Sequence, residues 1–255
     1  MLAVFKGSIA ILLVLTSSLM AQSHLFDKHI FLSQGDTLPY RLMKPMTQNP
    51  KAKYPLVLCL HGAGERGRDN ELNLKHVTAL FIDSANRIKY PAFVLVPQCP
   101  PQARWVDVDW RAESHRMPAK PSPSMRAVIE LVEQISKQYP IDKTRIYVTG
   151  LSMGGYGTWD IICRKPDFFA AAVPVCGGGD EAQVPKIKHI PIWVFHGSQD
   201  GIVKVQRSRN MVQALKEQGS SVLYTEYPDV QHDSWKPAYQ DPKLAEWLFS
   251  QKLKK

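Results

Sequence analysis

Four short runs in this chain, Leu56-Val57-Leu58-Cys59-Leu60, Phe93-Val94-Leu95-Val96, Ile146-Tyr147-Val148 and Ile192-Trp193-Val194-Phe195, are apolar at every position. A strand with one face in water alternates polar and apolar residues. An unbroken apolar run needs cover on both faces, the condition of a parallel sheet packed between helices. Each run is followed by a loop rich in Gly, Pro or His, and helical spacing appears between them. From Met125 to Tyr139, for example, Met125, Val128, Ile129, Val132 and Ile135 fall on one helical face. Strands alternating with helices predict an α/β fold: a mostly parallel central sheet, right-handed crossovers and helices on both faces. Ala170 to Val175 and Val222 to Tyr227 supply two further strands, and Leu244 to Phe249 a closing helix. Between Phe26 and Met43 the residues alternate around Gln34-Gly35-Asp36, which predicts a hairpin with a Gly-Asp turn and an antiparallel N-terminal edge.

The ends of the chain bear on compartment. Lys6 precedes a small and apolar run from Gly7 to Leu15, and Leu19-Met20-Ala21 offers a cleavage site, so residues 1–21 read as a secretory signal peptide. The run falls short of the roughly 20 apolar residues a membrane span requires. The expectation is export to the periplasm or beyond, no stable membrane association, and one α/β domain over residues 22–255. The net charge of +9 comes from Lys and Arg scattered along the chain, with no basic run longer than Lys254-Lys255, which argues against a nucleic-acid partner. Cys59, Cys99, Cys163 and Cys176 have no zinc-finger spacing, and Cys59 and Cys176 sit in apolar strands as small hydrophobes do. No metal and no cofactor are expected. Residues 97–124 carry six prolines, Trp105 and Trp110, with little periodicity. A loop that long, placed after a strand's C-terminal end, marks the ligand side of an open α/β sheet.

Gly150-Leu151-Ser152-Met153-Gly154 lies directly between a predicted strand and a predicted helix. A serine exposed on so sharp a turn needs small residues two before and two after it, because strand and helix approach closely there. Its hydroxyl becomes nucleophilic only when a base takes the proton, and the base must be oriented by a carboxylate. In chain order the acid and the histidine follow the serine. Asp200 stands after the strand Ile192 to Phe195, within His196-Gly197-Ser198-Gln199-Asp200-Gly201, and His232 after the strand Val222 to Tyr227. Asp180 is the rival acid; Asp229 and Asp233 crowd His232 in sequence and read as loop charges. His61 and His196, each before a glycine, read as loop-shaping. The oxyanion expected from acyl transfer finds two backbone N–H groups, those of Met153 and of Ala63 in Leu60-His61-Gly62-Ala63-Gly64-Glu65-Arg66-Gly67. Trp105, Trp110 and Trp235 are candidate stacking platforms for substrate, Trp105 and Trp235 before Trp110.

Five ordered blocks carry a family resemblance: residues 60–67, Pro97-Gln98-Cys99-Pro100, residues 150–157, Cys176-Gly177-Gly178-Gly179-Asp180 and His232-Asp233-Ser234-Trp235. Together they resemble the bacterial phospholipase/carboxylesterase-like α/β-hydrolases, in the branch often labelled "predicted peptidase". More loosely, the chain is similar to dienelactone hydrolases and to feruloyl and acetyl-xylan esterases. The resemblance implies the α/β-hydrolase fold and Ser152, Asp200 and His232 as a triad; it does not name a substrate, for which a small-molecule or saccharide ester is the expectation. A peptidase acting on short peptides is the alternative, and a non-catalytic carbohydrate-binding scaffold a third reading.

Overall fold

A computed structural model describes residues 23–253 of the chain. The expected signal peptide lies outside those residues. One eight-stranded sheet runs in the order β1-β2-β4-β3-β5-β6-β7-β8. Its strands are β1 (Asp27–Ser33), β2 (Asp36–Met43), β3 (Tyr54–Leu60), β4 (Phe93–Pro97), β5 (Ile141–Leu151), β6 (Ala171–Val175), β7 (Trp193–Gly197) and β8 (Leu223–Tyr227). β2 pairs antiparallel with both β1 and β4, and every other pair is parallel. The N-terminal edge is therefore antiparallel, as its alternation predicts. Its turn is Gln34-Gly35 rather than Gly-Asp: Ser33 pairs with Asp36, which opens β2. Gln34 and Gly35 have φ of 48° and 91°, the two positive values that a hairpin loop of two residues demands to match strand twist.

The helices are α1 (Ala79–Ile82), α2 (Ser84–Lys89), α3 (Pro123–Gln138), α4 (Met153–Arg164), α5 (Val184–Ile187), α6 (Gln206–Glu217), α7 (Trp235–Gln240) and α8 (Pro242–Ser250). The apolar runs do what their lack of alternation requires. Leu56, Leu58 and Leu60 point into one core with Val128, Val132 and Trp159, while Val57 and Cys59 point into the opposite one with Phe81, Leu244 and Leu248. Each such side chain, fully buried, contributes about 1.5–3 kcal/mol. α3 begins where it does because Pro123 cannot donate in the first turn, and because Ser122 Oγ accepts the Met125 N–H at 3.1 Å. β5 starts five residues before its apolar run, at Ile141, which pairs with Tyr54. The polar stretch Asp142 to Arg145 disguises that extension; Asp142 accepts from Thr144 and Arg145 there.

All four cysteines are free and buried. Among the described residues no helix is long and apolar enough to cross a membrane. The C-terminal ends of β3, β5, β6, β7 and β8 open onto one rim, from which the loops beginning at His61, Ser152, Cys176, Ser198 and Pro228 depart.

Candidate active site

The turn between β5 and α4 is built around backbone that leaves no room for side chains. A Cβ on Gly154 would fall 1.8 Å from the Leu60 carbonyl oxygen, and one on Gly150 would fall 2.3 Å from that of Gly154. Ser152 takes φ 53° and ψ −116°, a conformation that costs a non-glycine residue about 1–3 kcal/mol. Its N–H is tied to the Val175 carbonyl at 3.0 Å, so the neighbouring strand β6 holds the turn in place. The result lifts the Ser152 hydroxyl clear of the sheet.

His232 meets it from the loop after β8. His232 Nε2 lies 2.9 Å from Ser152 Oγ, and His232 Nδ1 lies 2.7 Å from Asp200 Oδ2. The other Asp200 oxygen accepts the N–H groups of Ile202 and Val203, both at 2.9 Å. Burial by itself raises the Asp200 carboxyl, but the hydrogen bonds from His196, His232 and the Val203 N–H outweigh it and hold the group well below the usual carboxylate range. The carboxylate is thus ionised beneath a histidine whose side chain is 21% exposed. The two loops that carry acid and base are stapled together: Ser198 N–H donates to Tyr227 O, Gln199 N–H to Val230 O, and Asp229 N–H to Ser198 Oγ. Gly197 permits this approach, since a Cβ there would fall 2.3 Å from the carbonyl oxygens of Gln231 and Val230.

Met153 is the first residue of α4, and Ala63 the first of a 3₁₀ turn over Ala63–Glu65. Helix geometry gives neither N–H an acceptor within its own helix, so both are free to face a ligand at the rim. The Ala63 loop is braced rather than loose. Arg66 Nε donates to Ala63 O at 2.8 Å, Gln98 Nε2 to Glu65 O at 3.1 Å, and Gly67 N–H to Cys99 O at 3.0 Å. Beneath it His61 is fully buried, its Nδ1 2.6 Å from Gly62 O while its Nε2 accepts the Cys99 N–H at 3.0 Å. Burial lowers its pKa to about 4, and a second ring proton has no acceptor.

Trp105 corrects the sequence reading. It is fully buried, donates its indole N–H to His61 O at 3.0 Å and stands edge-on to the His61 ring. It is a strut under the Ala63 loop with no face to offer a substrate. Trp235, half-buried, stands perpendicular to the His232 ring with centroids 5.4 Å apart, and also contacts His76. Asp180 is spent elsewhere: it accepts the Met117 N–H at 2.9 Å and the Ala182 N–H at 3.1 Å, and pairs with Arg116. Asp233 pairs with Lys236. Among the described residues, Cys176, Asp200 and His232 form the one cluster with metal-ligating atoms close together, and two of the three are bonded to each other.

One residue near the rim escapes the sequence reading, and another, read as loop-shaping, makes a contact that reading does not foresee. Arg207, fully buried on α6, donates to Gly179 O at 3.1 Å, to His115 Nδ1 and to Ala112 O, with its guanidinium over the Tyr156 ring. With Asp180 it pins the segment 98–122, which contains no helix or strand, against the sheet. The sequence signal for it is Gly178 within the glycine run, since a Cβ there would fall 2.5 Å from Arg207 Nε. The second is His196, whose Nε2 lies 3.1 Å from Asp200 Oδ2.

The family model described as Phospholipase/Carboxylesterase matches residues 43–243. Among solved structures, a thermostable esterase superposes with a TM-score of 0.84 at 43% identity, over 91% of this chain and 64% of that one. An uncharacterized secreted protein of Arthroderma benhamiae is 28% identical over 243 residues, 81% of this chain and 25% of its own length. The bifunctional acetylxylan esterase/xylanase XynS20E of Neocallimastix patriciarum is 30% identical over 95 residues, 36% of this chain and 14% of its own. The chain thus spans a quarter or less of these curated relatives and under two thirds of the thermostable esterase.

Proposed function

The chain belongs to the phospholipase/carboxylesterase family of α/β-hydrolases, and we propose that it cleaves carboxylic esters through an acyl-enzyme on Ser152. The observation that carries this reading is the succession Ser152 Oγ, His232, Asp200, with links of 2.9 and 2.7 Å. His232 Nε2 takes the hydroxyl proton as Ser152 Oγ attacks the ester carbonyl. The tetrahedral oxyanion is held by the N–H groups of Met153 and Ala63, and the alcohol leaves with the proton from His232. Water then attacks the acyl-enzyme with His232 again as base, releasing the acid and restoring the serine. Asp200 keeps the imidazole in the tautomer that presents a bare Nε2 to the serine, and offsets its charge once protonated.

The substrate is an acylated saccharide or a small ester. The similarity to an acetylxylan esterase/xylanase supports the saccharide, and half-buried Trp235 beside His232 offers an indole to it. Residues 1–21 direct the protein out of the cytoplasm, a reading that the similarity to a secreted protein supports. Ser152→Ala in the purified protein tests the mechanism on p-nitrophenyl acetate, methyl ferulate and acetylated xylan. Turnover falls by about 10³-fold or more, and a fluorophosphonate probe that labels the wild type no longer attaches. Retention of near wild-type turnover by the variant ends the proposal, and faster cleavage of aminoacyl-p-nitroanilides than of any ester replaces it with the peptidase reading.

A further inference from the structure

His196, the fourth residue of β7, has no part in the acyl transfer above, yet it touches the acid. The side chain is fully buried. Its Nε2 lies 3.1 Å from Asp200 Oδ2 and 3.0 Å from Val203 O, and its Nδ1 lies 2.7 Å from Ser208 Oγ. Both neighbours of Nε2 only accept, so that nitrogen carries a proton. Nδ1 meets Ser208 Oγ, whose hydroxyl also lies 3.2 Å from Gly177 O, so the ring is held at both nitrogens with its Nε2–H directed at Asp200. Asp200 Oδ2 therefore receives two imidazole N–H groups, one from His196 and one from His232 Nδ1, while two backbone amides hold Oδ1.

We propose that His196 is a positioning residue for the reaction: it fixes Asp200 Oδ2 against His232 and limits how strongly that carboxylate draws on the His232 proton. The proposal rests on the Ser152, His232, Asp200 reading. An oxygen shared by two donors offers less charge to each. With His196 gone, all the accepting power of Oδ2 falls on His232 Nδ1–H, which favours the imidazolium in the resting enzyme. A base that holds its proton longer is lost to catalysis at a higher pH, so the acid limb of the rate profile moves upward. The carboxylate also gains freedom to turn, which lowers kcat without touching the substrate.

The other groups around the two rings do not substitute for this donor. Glu226, opposite His196 on β8, has its carboxylate engaged by Arg209 and Tyr224. The Cys176 thiol lies within 4.8 Å of the Asp200 and His232 atoms, and burial followed by the Asp200 charge raises its pKa, so it stays protonated. Asp233, next to His232, is paired with Lys236, and His76 stands beyond the Trp235 ring.

The test compares wild type, His196→Leu, His196→Gln and Ser208→Ala on p-nitrophenyl acetate from pH 5 to 9, with thermal melts alongside. His196→Leu is expected to lower kcat about 10–100-fold with KM within about twofold, and to move the acid limb of kcat/KM up by about half a pH unit or more. His196→Gln, whose amide keeps an N–H at the Nε2 position, restores most of both. Ser208→Ala shifts the limb the same way by less. A folded His196→Leu whose limb superimposes on that of the wild type overturns the proposal, whatever its melting temperature. Should that variant not fold, an unmoved limb in Ser208→Ala overturns it. Ser152→Ala assayed in parallel separates the two failures: near wild-type turnover there removes the triad, while a Ser152→Ala slowed by about 10³-fold or more together with unmoved limbs removes only the role of His196.

Discussion

Two neighbouring parallel strands, β6 and β7, each lead into a buried aspartate, and the two acids have opposite fates. Asp180 is 4% exposed and Asp200 9% exposed. In both, burial raises the carboxyl and hydrogen bonding more than reverses it, so both are ionised at neutral pH. The difference lies in the donors. Asp180 meets the N–H groups of Met117 and Ala182, the Gln183 amide and Arg116, none of which moves a proton, and its charge is consumed in holding the segment 98–122 down. Asp200 commits one oxygen to backbone and leaves the other to imidazoles. A buried, ionised acid near a catalytic rim is thus no sign of chemistry; a donor that itself titrates is.

Exchanging each acid for its amide breaks or sharpens that comparison with the largest effect. Asp200→Asn lowers kcat by about 10³–10⁴-fold, because the amide stabilises the wrong His232 tautomer and cannot offset the imidazolium. Asp180→Asn leaves kcat within about tenfold of wild type and lowers unfolding stability by about 1–3 kcal/mol, since its carboxylate is an acceptor for amides in a buried setting. Steady-state kinetics with urea unfolding on both variants checks the pair. An Asp180→Asn protein as inactive as Asp200→Asn erases the distinction.

A smaller effect separates the acids from the histidines around them by pH. His61, His76 and His115 are each pushed down to about 4 by burial, with a nearby Lys or Arg adding to it in all three. A histidine depressed in the folded state is protonated first in the unfolded chain, so its contribution is complete above pH 6.5 and drains away as pH falls toward 4. The two aspartates, depressed below 3.8, keep theirs until the pH falls under that value. The urea midpoint is therefore expected to fall between pH 7 and pH 5, before either of these two aspartates is titrated. His61→Gln makes that fall shallower, as one fewer proton is taken up on unfolding. A midpoint unchanged from pH 7 to pH 5 sinks the claim.

How far the sequence discloses this molecule depends on whether a residue's role follows from its neighbours in the chain. The sheet is legible because Leu56 to Leu60 has to be covered on both faces, and Ser152 because only glycines fit two residues to either side. Asp200 and His232 are legible from chain order after strands. His196 is not, because its contact with Asp200 depends on the turn Gly197 to Asp200 folding back over four residues. Nor is Arg207, because nothing near it in the chain says that Gly178 makes room for its guanidinium. The start of β5 is hidden by its polar residues 142–145, which lie between Ile141, paired with Tyr54, and the apolar run from Ile146.

The tryptophans repeat the lesson of the aspartates on the smallest scale. In a proline-rich loop an indole looks like a platform for ligand, and sequence cannot tell which indole the fold covers. Trp105 is covered, and its contribution is one hydrogen bond to His61 O plus packing under Gly157, where a Cβ would fall 3.0 Å from Trp105 Cβ. Trp105→Phe keeps the aromatic bulk and loses the bond, so it lowers stability by about 1 kcal/mol and leaves kcat and KM within about twofold. Trp235→Phe loses no intramolecular hydrogen bond, because the indole N–H has no partner in the fold, and its effect appears in KM for the substrate rather than in the melt. Thermal melts and KM for acetylated xylan on both variants distinguish strut from platform. Should Trp105→Phe raise KM while Trp235→Phe leaves it unmoved, the two assignments are reversed, and the segment 98–122 has to open in solution to present Trp105.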